Sequence, residues 1–230
     1  MPILTQLEME ALGLSLKVGL WSTLVSLPLA IAVAVALGRS SFPGKSLIDT
    51  LVYLPLVLPP VVTGYFLLVL FGRRGPLGAA LEQWFGLVFA FRWTGAALAS
   101  AVMGFPLMVR AIRLSVEAID PGLEQAAATL GAGRAAVFAT VTLPLMLPGI
   151  LAGTLLGFAR SLGEFGATIT FVSNIPGETR TLPIAIYGLT QVPGGDAAVL
   201  RLVLLSVAVS VGALFASELL ARRIAKGAVA

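Results

Sequence analysis

The chain has 230 residues, 58% of them hydrophobic and only 11% charged, with a mean hydropathy of +1.00; soluble globular domains are roughly a quarter charged, so it reads as an integral membrane protein. With Cys 0 and His 0 it has no thiol nucleophile, disulfide, thiolate or imidazole metal site, or histidine base. The net charge of +4 is spread over loops without a basic run or interleaved aromatics, which argues against nucleic acid and for a membrane or an anionic solute.

A bilayer core takes about 20 apolar residues in a helix, and five segments qualify, giving an all-α polytopic fold without a separate soluble domain. Met1 to Glu10 carries Glu8 and Glu10 and no basic region, unlike a cleavable signal, so the first span is expected to stay in the mature protein. That span runs from about Gly13 to Leu37, with Lys17 able to snorkel toward one interface. The second, about Leu47 to Phe71, contains Pro55, Pro59 and Pro60. Adjacent prolines remove backbone donors, so a fixed kink or a hinge is expected there, buried against neighbouring protein. Gly72-Arg73-Arg74-Gly75-Pro76 reads as an anchor at the headgroups. The third span, about Trp93 to Val116, is interrupted by Pro106 and emerges at Arg110, Arg113 and Glu117.

Pro121 to Pro148 is the longest break in the apolar pattern that still reads as ordered. Asp120 can cap a helix, Pro121 suits its first turn, and Glu124 lies where the helix dipole favours negative charge. Gly131 and Gly133 end that helix, and a second runs from about Arg134 to Leu143. Hydropathy alone admits a span at Val137 to Ala159, but Pro144 and Pro148 argue against it. The fourth span is therefore placed at about Leu145 to Val172, which brings Arg160 and Glu164 into the membrane. Ser173 to Asp196 is a Pro- and Gly-rich loop in which a short interfacial helix is expected at Leu182 to Gln191. The fifth span, about Ala197 to Ala221, closes with Arg222, Arg223 and Lys226.

Arg160 and Glu164 are spaced i, i+4 and share a helix face. Ionisable groups in a bilayer are costly and face protein or a water-filled path. The two either neutralise each other as a structural pair or line and gate an anion's route, with Arg160 offering a fork of donors. Ser161, Gly163, Gly166 and Thr168 allow a close crossing, either ordinary packing or a helix from a second copy of the chain.

Gln125-Ala126-Ala127, Gly131 and Val141-Thr142-Leu143-Pro144 resemble the cytoplasmic loop of ABC importer membrane subunits, with Gln125 and Val141 in place of the usual Glu and Ile. Ala159 to Tyr187, with Phe42 to Lys45 and Leu54 to Val62, is similar to the permeases for tetrahedral oxyanions and most closely to those for molybdate. The resemblance covers nearly the whole chain. It implies a single transmembrane domain over 1–230 with a cytoplasmic coupling loop at about 118–144. It also implies a homodimer in the cell inner membrane, two ATP-binding subunits beneath it, and an extracytoplasmic solute-binding protein that docks near Asn174 to Arg180. Glu124, Gln125, Ala126, Ala127, Gly131, Arg134, Leu143 and Pro144 are then the expected ATPase contacts, and Arg160, Ser161, Glu164 and Thr168 the expected path or gate.

Charge alone orients the chain weakly. Facing the coupling loop to the cytoplasm puts the N-terminus outside and the C-terminus inside. No catalytic residue, metal or cofactor is expected, and the G-x-x-x-x-G-K-[ST] phosphate loop of an ATPase is missing. An importer for sulfate or tungstate is the near alternative. An ion-gradient carrier would need acids through several spans and inverted repeats, and a membrane enzyme would need a nucleophile, base or metal cluster.

Overall fold

The computed structural model describes residues 5–227. Its longest helix, α1 (Gln6–Arg39), opens with a capping box, in which Thr5 Oγ1 accepts from the Glu8 N–H and Glu8 Oε2 accepts from the Thr5 N–H. At 1.5 Å per residue it is about 50 Å long, more than a bilayer core. Its buried face is small and polar, including Ala11, Ser15, Gly19, Ser22, Ser26, Ala30 and Ala34. Lipid gives no hydrophobic drive for helix association, so close backbone approach through small residues is what holds such helices together.

The second predicted span is two helices, α2 (Lys45–Val57) and α3 (Pro60–Phe71), bent by 115° at Leu58–Pro59. The prolines cause the break as expected, but the expected burial is absent within this chain. No α2 residue is buried, and Pro59 and Pro60 are exposed. A short helix not foreseen from sequence, α4 (Pro76–Phe85), precedes the third span, α5 (Trp93–Glu117), which runs through Pro106 without a break.

The stretch from Pro121 forms α6 (Pro121–Thr129) and α7 (Arg134–Val137), and its course differs from the sequence expectation. The second helix does not stop near Leu143: α7 passes through a π-helical turn (Phe138–Thr142) into α8 (Leu143–Leu162), so Arg134–Leu162 is one apolar span. Pro144 is tolerated because it lies in the first turn of α8, where a missing N–H matters least. The wider turn before it lets Leu143 N–H reach Phe138 O. The break falls later, at Gly163–Phe165, before α9 (Gly166–Val172). The predicted loop helix is α10 (Leu182–Thr190), and the last span is α11 (Asp196–Gly227). The side chains of Arg222, Arg223 and Lys226, expected at its inner end, lie outside the described residues.

The core of the bundle is α1, α5 and α8. Gly149, Gly153 and Gly157 recur every four residues along α8 and let α5 in. A Cβ at Gly153 would lie 3.0 Å from Met108 O, and one at Gly157 2.6 Å from Met108 Sδ. Likewise α3 crosses α9 at Gly64, where a Cβ would meet Ala167 Cα at 2.9 Å. A valine there has to push two backbones apart. Gly64→Val is expected to lower stability by about 1–3 kcal/mol, the range for overpacking, read as a lower melting temperature in detergent.

Candidate coupling surface and membrane charge pair

The exposed end of the molecule beyond α5 is built on one cap and one glycine. Asp120 Oδ1 accepts from Gly122 N–H at 2.8 Å, and Pro121 takes the first helical position, so α6 starts where the sequence indicates. It ends on Gly131 at φ +90°, a left-handed conformation that favours glycine. Gln125, Ala126, Gly131, Arg134 and Pro144 are exposed, while Ala127 and Leu143 are half-buried. Two apolar residues of the same stretch, marked by no motif, are bare as well. Leu130 is 89% exposed and Leu123 49%. An apolar side chain this bare, next to a helix-ending glycine outside the spans, has no partner within the chain.

Glu124 has a different place from its neighbours. Its Oε1 accepts from Arg39 Nη2 at 3.1 Å and from Thr142 Oγ1 at 2.7 Å. Arg39, at the last turn of α1, also donates to Ile119 O. Glu124 therefore braces α6 against the foot of α1 and the π-helical turn. Arg39 lies 85 residues away, and no local sequence signal marks it. A second brace lies alongside, where Arg113 pairs with Asp49 and Glu117, both at 2.7 Å, and ties α2 to α5. Removing the first should loosen the surface without unfolding the bundle. Glu124→Ala is expected to cost about 1 kcal/mol or less as a partly exposed ion pair and to speed tryptic cleavage at exposed Arg134 several-fold.

At the far end of α1, Glu8 Oε1 accepts from Arg201 Nε at 2.9 Å, tying the helix to the start of α11. α1 is thus a strut clamped at both ends by ion pairs, with α6 on one clamp.

Deeper in the bundle, Arg160 Nη1 lies 2.7 Å from Glu164 Oε2, a charge contact without hydrogen-bond alignment. Glu164 sits in the break between α8 and α9 with a side chain only 1% exposed, against 26% for Arg160. Its other oxygen, Oε1, accepts from Ala167 N–H at 2.8 Å. The carboxylate thus neutralises the arginine and holds one end of the break.

The other two residues expected on a path are occupied within the chain. Ser161 is buried against α1, its Oγ 2.9 Å from Ser22 Oγ and donating to Gly157 O. Thr168 is fully buried and donates to Phe165 O and Glu164 O. Gly166 faces Pro60 of α3, so the close crossing at this point is made inside one chain, whereas Gly163 meets nothing within 4 Å. Asn174 to Arg180 is an ordered turn rather than a slack one: Thr179 is buried and bonds Ser173 O and Ile175 N–H, and Arg180 donates to Asn174 Oδ1.

The sequence and the helical fold have counterparts in known proteins. The molybdenum transport system permease protein ModB of Escherichia coli K12 is 62% identical over 220 residues, 96% of each chain. ModB of Haemophilus influenzae is 60% identical over the same share. Among solved structures, a bacterial ABC transporter that imports alginate superposes with a TM-score of 0.76 at 19% identity, covering 96% of this chain and 81% of that one; the likeness is one of fold. The family described as binding-protein-dependent transport system inner membrane component matches residues 26–226. The chain belongs to that family and is an inner membrane component of a binding-protein-dependent transport system.

Proposed function

We propose that this chain is the membrane-spanning permease subunit of an ATP-driven importer for molybdate. Two copies enclose the anion's route, and two ATP-binding subunits dock on the surface of α6 and its glycine turn. A molybdate-binding protein delivers the solute on the opposite side, near Asn174 to Arg180. The N-terminus is then outside and the C-terminus cytoplasmic, and the chain itself hydrolyses nothing.

The observation that carries the reading is the exposed helix, turn and helix at Pro121 to Pro144, with apolar Leu123 and Leu130 bare beside small alanines. Small residues let a partner's backbone approach, and desolvating leucines gives the contact its affinity. In this reading Gln125, Ala126, Ala127, Gly131, Arg134, Leu143 and Pro144 meet the ATPase, and Glu124 holds their platform to α1. Movement imposed at α6 is carried by α1 and by the unbroken Arg134–Leu162 helix toward the break at Gly163–Phe165. That arrangement suits rigid-body alternating access.

Arg160 and Glu164 line or gate the route. Molybdate is a doubly charged tetrahedral oxyanion, for which a guanidinium provides directed donors. An unopposed arginine would retain such an anion; one offset by Glu164 releases it. Ser161 and Thr168 shape the walls through their intrachain bonds.

The test is co-purification with the ATP-binding subunit, followed by ATP hydrolysis in liposomes with molybdate-loaded, sulfate-loaded or empty binding protein. The expected result is a stable complex whose hydrolysis is stimulated by the molybdate-loaded form. Failure of the native chain to bind any ATPase overturns the importer reading, and stimulation by sulfate alone overturns the solute.

A further inference from the structure

We propose that the end of the molecule remote from α6 carries a site for an anionic phospholipid. Arg73 and Arg74 hold its phosphodiester, and one acyl chain lies in the groove beside them. The inference rests on the membrane-spanning fold and not on the identity of the solute.

Arg73 and Arg74 occupy the turn between α3 and α4, and both are exposed. Among the described residues neither forms an ion pair, and Glu82, the single acid between positions 72 and 92, forms none either. The turn is held tightly. A Cβ at Gly75 would meet Leu70 O at 2.6 Å, and one at Gly78 would meet Phe71 O at 2.5 Å. The first residues of α4 are thereby folded back on the end of α3, and the two guanidiniums are presented from a fixed backbone. Beside them lies a cleft of about 400 Å³ with Leu68, Val69 and Ala90 in its lining and Phe91 at its edge. Phe91 adopts φ 60°, a backbone conformation that phenylalanine rarely takes, and its side chain stays 51% exposed.

The depth of the site follows from its neighbours. Tyr65, Phe66, Val69 and Leu70 of α3 are exposed and largely apolar, and they end just before Gly72. On α4, Leu77 is 45% exposed, Trp84 75% and Phe85 67%. A short helix with bare tryptophan and phenylalanine lies in the plane of the interface, with its aromatic rings at headgroup level. The arginines therefore sit where lipid phosphates are, and planar guanidiniums take phosphate oxygens in a bidentate fork. Val69 belongs both to the cleft and to the exposed apolar side of α3, so an acyl chain lying along α3 can enter the cleft. A soluble acidic protein would satisfy the arginines and leave the apolar cleft unfilled; a phospholipid satisfies both.

The test is native mass spectrometry of the detergent-purified chain titrated with phosphatidylglycerol or phosphatidylcholine of matched acyl chains. The expected result is retention of phosphatidylglycerol on the order of tenfold above phosphatidylcholine, a preference that two interfacial cations can supply. Arg73→Gln with Arg74→Gln should abolish it, and Arg73→Lys with Arg74→Lys should keep part of it. A charge-matched control on the other membrane face, Lys45→Gln with Arg110→Gln, should leave it intact. Undiminished retention in the Arg73/Arg74 glutamine variant overturns the proposal, and is also what a protein partner at this site would give. Equal loss in the control, or displacement of the lipid by excess inorganic phosphate, overturns it as well.

Discussion

Gly131→Pro is expected to uncouple the chain from its ATPase while leaving the bundle folded. Proline holds φ near −65°, whereas Gly131 stands at +90° and donates its N–H to Ala128 O. Neither feature survives the substitution, so the chain after α6 must leave by another direction. The position is exposed and a Cβ there meets nothing within 4 Å, so the damage stays local. The expected outcome is loss of ATPase co-purification and a fall in ATP-dependent molybdate uptake of more than tenfold, with an unchanged melting temperature. Gly131→Ala makes a graded companion. It adds only the left-handed strain of an ordinary residue, about 1–2 kcal/mol, and should weaken binding without abolishing it. Uptake by Gly131→Pro at the native rate would separate this turn from coupling.

The second large effect is expected at the membrane charge pair. Arg160→Gln leaves a carboxylate that is 1% exposed without its countercharge, and Glu164→Ala leaves Arg160 unopposed and Ala167 N–H without an acceptor. Stranding a buried charge costs about 3–5 kcal/mol, which is expected for Arg160→Gln; Glu164→Ala leaves a guanidinium that is 26% exposed and should cost less, and both should show as a lower melting temperature. Replacing both by glutamine removes the uncompensated charge and keeps an oxygen for Ala167 N–H. The double variant should therefore recover much of the stability, a strongly non-additive cycle. Uptake separates the two roles of the pair. If Arg160 and Glu164 line the route, the double variant stays at least tenfold slow despite its recovered fold; if the pair is structural only, uptake returns with stability.

The parts of the fold carried by local chemistry were legible in the sequence. The cap at Asp120, the first-turn Pro121, the left-handed Gly131 and the interruption at Pro59–Pro60 are consequences of side chains acting on their own backbone, and each lies where its residue type requires. Non-local compensation was not legible. Pro144 and Pro148 read as helix breakers, but a π-helical turn ahead of Pro144 lets one span run from Arg134 to Leu162. The real break at Gly163–Phe165 carries no proline and is held partly by Glu164, whose acceptor role toward Ala167 becomes visible only once α9 is in place.

The same division holds for the site. Residue types marked the stretch that contains the exposed surface, and the i, i+4 spacing marked Arg160 with Glu164. Leu130 could have been found as an apolar residue beside a terminating glycine outside the spans. Arg39 could not, because its bond to Glu124 closes a loop of 85 residues. Ser161 and Thr168 lie near the charge pair in sequence. Their hydroxyls are instead bonded to neighbouring helices and carbonyls within the chain.

Docking of the ATP-binding subunit on α6 and its turn can be read directly by cross-linking. The chain has no cysteine of its own, so single cysteines report one position each. Cross-linking from Ala126→Cys to the ATP-binding subunit in the assembled complex, set against Trp84→Cys at the opposite end, is the direct measurement. The expected result is a cross-link from position 126 that changes in yield when ATP is added, and none from position 84. A complex that hydrolyses ATP on addition of loaded binding protein, yet gives no cross-link from position 126, would contradict it.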